Sequence, residues 1–191
     1  TKAILPVHLY GALVDMKRLR TLADQHDLAI VEDAAHCVEG VRDGVRPGQL
    51  GDTACFSFYA AKNMTCGEGG AIATGHDHVE QWLRKGRLHG MSKSAADRYG
   101  GKYVHWDMEL LGYKSNLANL QAALLLPQLP LVEERRQRRD ALARRYEAAF
   151  EPLEGVDFPR VPQGCTSARH LFTIWVDPDR RDDVLHGLQQ E

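Results

Sequence analysis

No apolar run in this sequence approaches the ~20 residues needed to cross a bilayer as a helix. The opening TKAILPVHLYG also lacks the charged start and apolar centre of a secretory signal. Membrane insertion and export are therefore not expected, and a cytoplasmic location is. Paired cysteines are missing too. Cys37, Cys55, Cys66 and Cys165 stand at unrelated spacings with no C-x-x-C among them, which argues against a zinc site or a disulfide framework and fits a reducing compartment. Net charge is scarce: at -2 over 191 residues, with both signs mixed, nothing points to nucleic acid or an acidic membrane surface. Internal repeats, low-complexity tracts and a basic recognition helix of helix-turn-helix form are likewise absent.

What is present alternates in the manner of an α/β protein long enough to bury a sizeable core. The strand-like AILPVHLYG leads to a helical period over Asp15 to His26, with Met16, Leu19, Leu22 and Ala23 on one face. Strands are expected at Leu28 to Val31, Ala54 to Tyr59, Ala71 to Ala73 and Leu171 to Val176, with turn-rich glycines and a proline from Gly40 to Gly51. His76 to Arg87 reads as a helix opened by Asp77. Asn116 to Leu126 reads as a helix buried on almost all faces and ended by Pro127, and Glu133 to Phe150 as a basic amphipathic helix with Leu142, Tyr146 and Phe150 in register. Its Arg135, Arg136, Arg138 and Arg139 are expected to form a solvated face flanked by glutamates, since no stacking aromatics accompany them. Leu88 to Trp106 has no clear period and reads as a long functional loop, Pro152 to Gly164 is a connector, and a last helix starts near Asp182.

The stretch with chemistry runs from Val31 to Gly75. Two strand-like runs end in polar groups: Glu32, Asp33 and His36 after the first, Lys62 after the second, with Ser57 on the incoming strand. In an open α/β sheet ligands bind at the carboxyl ends of strands, so a carboxylate, an imidazole, a hydroxyl and an amine are expected to converge there. Gly67, Gly69 and Gly70 suit close approach of backbone to a ligand. Taken singly, each residue has a plainer role: Asp33 a turn cap, Lys62 a solvated charge, Ser57 and His36 satisfied strand-end groups. A metal site on Asp33 and His36 is disfavoured because no second His or Cys recurs at ligand spacing.

EDAAH followed by GDTACFSFYAAKNMTCGEGGAIATG resembles the signature of the DegT/DnrJ/EryC1/StrS family of pyridoxal-phosphate-dependent nucleotide-sugar aminotransferases. The resemblance implies a fold-type I architecture, with a partial three-layer α/β/α large domain over residues 1–126 and, over 127–191, a connecting helix and the start of a small α+β domain. It further implies a fragment, lacking on the scale of ~100 N-terminal residues, where a phosphate-capping turn and a ring-stacking side chain would lie, and the C-terminal end as well. On this pattern Asp33 pairs with the cofactor's ring nitrogen, His36 contacts its ring or phenolic oxygen, and Ser57 donates to its phosphate. Lys62 forms the internal aldimine and later moves the proton between substrate carbon and cofactor. GYKSN resembles a segment that reaches the neighbouring subunit of a homodimer, so Asn116 would contact the partner's cofactor phosphate; Asn116 would serve equally as a helix N-cap. Ser115 departs from the aromatic usual there. His89 matches a segment lining the sugar entrance, with no role assigned. The implied reaction takes an amino group from an amino acid, glutamate by resemblance, to a nucleotide-linked keto-sugar; MTCGEGG, LHGMSK and LGYK lean towards a UDP-4-keto-sugar. A pyridoxal-dependent sugar dehydratase shares the fold but carries His where Lys62 stands. A chain not catalytic by itself is the other alternative.

Overall fold

The computed structural model describes residues 1–92 and 105–190. Four strands form the main sheet in the order β1-β2-β4-β5: β1 Ala3–Ile4, β2 Ala29–Asp33, β4 Thr53–Ser57 and β5 Gly70–Thr74. β1, β2 and β4 run parallel, with Ile4 beside Ile30 and Asp33 beside Cys55. β5 returns antiparallel to β4, with Ser57 opposite Gly70. The N–H of His8 donates to the Asp33 carbonyl at 3.0 Å, so pairing with β2 continues past β1 to the end of the strand.

Helix α1, Met16–Gln25, crosses between β1 and β2. Asp15 caps it by accepting the Arg18 N–H at 3.1 Å, and Met16 and Ala23 are its buried residues. Leu22 of the expected apolar face is largely exposed. Helix α2, Asp77–Gly86, follows β5; Asp77 and Glu80 lie in its first turn, where acids suit the helix dipole, and His76 is its N-cap residue. Gly40 to Gly51 is not only turn. It contains β3, Val41–Arg42, antiparallel to β7, Cys165–Thr166. β6, Val156–Asp157, pairs with β8, Trp175–Val176, so the predicted connector holds a strand and the strand over Leu171 to Val176 shortens to two residues. The last helix, α5, is Arg181–Gln190.

The middle of the chain departs most from expectation. Helix α3 is only Asn119–Leu125, and Leu125 is its single buried residue; Leu120 is 82% exposed. Pro127 does not end the helical path. It sits in the first turn of a 3-10 segment, Leu126–Leu131, where its missing N–H is not needed, and this runs directly into α4, Val132–Phe150. Charge surrounds α4 on nearly every side, and only Ala143 is buried, so the expected amphipathic face is a narrow contact. Tyr146 and Phe150 instead stack together and against Phe172. Of the predicted loop from Leu88 to Trp106, residues 93–104 lie outside the described residues; its flanks approach one another at Leu88 with Lys114 and at Met91 with Met108.

Two apolar clusters hold these pieces. Leu13, Met16, Ala23, Ile30, Cys37, Val45 and Ala168 form one, packing α1 and β2 against the C-terminal segment. Phe58, Met64, Cys66 and Leu125 form the other beneath the β4–β5 connection. Among the described residues no helix is long and apolar enough to cross a membrane.

Candidate active site at the ends of strands β2 and β4

Because side chains alternate along a strand, the consecutive acids of β2 diverge. Glu32 points into the core and is fully buried, whereas Asp33 is exposed. Glu32 Oε2 lies 2.7 Å from His8 Nε2, and its Oε1 accepts the N–H groups of Gly48 and Gly51 at 3.1 and 2.9 Å. His8 Nδ1 accepts the Val14 N–H, which leaves Nε2 as the nitrogen that donates to Glu32. A Cβ at Gly51 would run into the Glu32 carboxylate, so this close backbone approach requires glycine. Glu32 thus anchors the segment before β4 and is withdrawn from the convergent polar group expected from the sequence.

Asp33 Oδ1 accepts the Ala35 N–H at 3.0 Å, so the turn-cap role is real, and Oδ2 takes no donor among the described residues. Asp33 lies beside Cys55, and Ser57 follows two residues on along β4, on the same face. Asp33 and Ser57 line one cavity of about 290 Å³ together with Leu5, Val31 and Phe56. Ser57 Oγ accepts the Tyr59 N–H at 3.4 Å, which keeps its own proton available for donation.

After β4 the chain turns at Tyr59, whose carbonyl accepts the Lys62 N–H at 2.9 Å, and Phe58 is pinned by the Gly69 carbonyl at 2.7 Å. Lys62 is half-buried, and its amine makes no hydrogen bond or ion pair among the described residues. His36 lies within electrostatic reach of both Lys62 and Asp33: burial first and then the Lys62 charge hold its imidazole below the usual range, against the opposing pull of Asp33. Asn116 lies apart from this group. It is exposed, its Oδ1 accepts from Lys114 at 2.5 Å, and it does not cap α3, whose N-cap residue is Ala118.

A larger cavity of about 580 Å³ opens between β4, β5 and α2. Its acid, Glu80, is already paired with Arg84, and neither Asp33 nor Ser57 lines it; Lys62 and His36 line neither cavity. The smaller cavity is therefore the candidate site, since ligand recognition requires convergent polar groups as well as volume.

Four further residues, given no part in the site by the sequence, brace this region. Asn63, next to Lys62, donates through Nδ2 to Glu39 Oε1 and to the Ala168 carbonyl, both at 3.1 Å. Its Oδ1 meets His170 Nδ1 at 3.0 Å, and the His170 ring lies 4.4 Å from that of His36. Glu39 is nearly fully buried and paired with Arg139 of α4; burial raises its carboxyl above the usual range despite that partner. The solvated arginine face is therefore reduced to Arg138: Arg136 and Arg138 pair with Glu133 and Glu134 as expected, but the Arg136 side chain is even less exposed than that of Arg139. Partners as far apart as Asn63 and His170 leave no local signal. Glu32 did leave one, because it shares the inward phase of β2 with Ile30.

Pyridoxal phosphate fits these groups by donor type: Asp33 has a carboxylate oxygen left to accept from a ring N–H, Ser57 a hydroxyl left to donate to a phosphate, and Lys62 an unpaired amine. Among the described residues no group of three or more His, Cys, Asp or Glu is placed to hold a metal.

The family model for the DegT/DnrJ/EryC1/StrS aminotransferases matches residues 1–191. The spore coat polysaccharide biosynthesis protein SpsC of Bacillus subtilis is 38% identical over 196 residues, covering 100% of this chain and 50% of its own. The crystal structure of S. venezuelae DesV in complex with a ketimine intermediate superposes with a TM-score of 0.85 at 38% identity, over 100% of this chain and 48% of that one. PseC of Helicobacter pylori, an aminotransferase involved in the biosynthesis of pseudoaminic acid, gives 0.89 at 25% identity, over 100% and 50%. This chain spans about half the length of the relatives it matches. It belongs to the DegT/DnrJ/EryC1/StrS aminotransferase family, with the family's α/β fold-type I architecture and pyridoxal 5'-phosphate as the family's cofactor.

Proposed function

We propose, from this membership, that the protein transfers an amino group from an amino acid, with glutamate the favoured donor, to a nucleotide-linked keto-sugar, with a UDP-4-keto-sugar the favoured acceptor. It would act as a cytoplasmic homodimer in polysaccharide biosynthesis. Residues 1–126 would belong to the large cofactor-binding domain and 127–191 to the connecting helix and small domain. The observation that carries the reading is the Lys62 amine, unpaired among the described residues and within electrostatic reach of His36, which Asp33 also reaches, while Asp33 and Ser57 line one cavity.

When bound, pyridoxal phosphate supplies an electron sink for the negative charge that develops on the substrate carbon. The side chains then divide the work. Asp33 would accept from the ring nitrogen through the oxygen its own turn leaves free, and its charge would favour the protonated ring. Ser57 would donate to the phosphate. His36, whose Nδ1 accepts the Tyr10 N–H at 3.3 Å, would contact the ring or its phenolic oxygen. Lys62 would hold the cofactor and serve as the base that moves a proton at the substrate carbon, a task that requires a base within hydrogen-bond reach. Asn116, exposed and unattached to its own site, would reach the partner's phosphate.

Borohydride reduction tests this directly. Protein incubated with pyridoxal phosphate should show a visible absorbance band that borohydride converts to a stable adduct, and peptide mapping should place the added mass on Lys62. Lys62→Ala should show neither. A native protein that stays colourless, or an adduct on another lysine, sinks the reading.

A further inference from the structure

The brace around Asn63 fixes where protons sit on two histidines. The Ala168 carbonyl can only accept a hydrogen bond, so the Asn63 group 3.1 Å from it must be the NH2. That orients the amide, and Oδ1 is then the atom 3.0 Å from His170 Nδ1. An amide oxygen also only accepts, so His170 Nδ1 carries a proton. On the facing ring, His36 Nδ1 accepts the Tyr10 N–H, which places the proton of neutral His36 on Nε2. The two rings lie 4.4 Å apart, tilted by 34°, and Tyr10 stacks on the outer side of His36 at 6.3 Å. Burial, with His36, Lys62 and Arg139 adding like charge, pushes His170 down to about 4, so it is neutral near pH 7 and its Nε2 is bare.

We propose that His170 is a positioning residue of this site: locked in its Nδ1–H form by Asn63, it braces the His36 ring so that His36 presents an Nε2–H donor. The inference rests on the assignment of Asp33, His36, Ser57 and Lys62 as the cofactor site for its functional meaning, while the proton positions do not depend on it. Asn63 follows Lys62 in the chain, so one amide links the lysine turn, the buried Glu39 and the C-terminal segment to the orientation of the imidazole.

Long-range proton–nitrogen spectra of the ¹⁵N-histidine-labelled protein, without added cofactor at pH 7, test it. His36 and His170 are identified by the signals lost in His36→Gln and His170→Gln. In the native protein His170 should carry its proton on Nδ1 and His36 on Nε2. Asn63→Leu should shift the His170 ratio towards Nε2–H by roughly tenfold, the effect of one lost hydrogen bond. With pyridoxal phosphate added, the same variant should also move the visible band while Lys62 is still trapped by borohydride. His170 found as the Nε2–H form or doubly protonated in the native protein overturns the proposal, whether or not Lys62 traps the cofactor. So does Asn63→Leu leaving His36 and the band unchanged. Correct proton positions without trapping at Lys62 overturn the functional reading, and the positioning role with it.

Discussion

Glu32 and Asp33 are neighbouring carboxylates with opposite fates, and the pleat of β2 decides which is which. Removing Glu32 leaves three groups without their acceptor: the fully buried His8 Nε2 and the part-buried N–H groups of Gly48 and Gly51. Glu32→Ala should therefore cost about 3–5 kcal/mol, as for other buried pairs broken from one side, read as a lower urea midpoint at unchanged slope. Asp33→Asn should leave stability within about 0.5 kcal/mol, since Asn retains the oxygen that accepts from Ala35. The same change should lower the glutamate half-reaction by about 100-fold or more, because a neutral amide does not favour the protonated ring. The sequence displayed Asp33, Ser57 and Lys62 openly, as polar groups after apolar strands. It displayed Glu32 as well, but from sequence alone its alternation with Ile30, which marks it as inward-facing, cannot be told from the polar end of an apolar run.

Asp52, just before β4, joins four elements. Its Oδ2 accepts the Ile30 N–H of β2 at 2.6 Å and faces Arg20 of α1 at 3.3 Å, and its Oδ1 meets His76 at the start of α2 at 3.0 Å. Its carbonyl accepts from Thr74 of β5 at 2.7 Å. Burial alone would raise this carboxyl, but the Ile30 N–H, His76 and Arg20 outweigh it and hold it below the ordinary range. A carboxyl lowered on folding contributes stability above its unfolded value, lost as pH falls through the folded one. Asp52→Ala should cost about 2 kcal/mol near neutrality and flatten the fall in stability below pH ~4. At this scale the four strands of the main sheet and α1 were legible because their apolar periods are local, whereas the two-residue strands β3, β6 and β7 were not. Nor was helix α3. Its leucines imitate a buried helix, yet Leu120, Leu124 and Leu126 are mostly exposed, and the 3-10 segment absorbs Pro127 and Pro130 where a break was expected. Periodicity shows which residues share a face but not whether anything covers it.

Across the whole molecule, stability should depend on pH through His170. Its folded value of about 4 lies below the ordinary 6.5, so between these limits the unfolded chain binds a proton that the folded one does not. Stability should accordingly be greatest above that window and decline on acidification through it, and His170→Gln should reduce the slope in thermal melts taken across the same range. The network responsible was invisible in the sequence because its members are distant: Asn63 and His170 are 107 positions apart, Glu39 and Arg139 are 100. Such separation also orders events in time. Closing so long a loop is entropically slow compared with forming α1 or the β4–β5 pair. On the ribosome, a nascent chain that has emerged only as far as α4 already contains Asp33, Ser57 and Lys62. Asn63 still lacks Ala168 and His170 as partners, so the polar groups of the candidate site are translated long before the brace behind them can close.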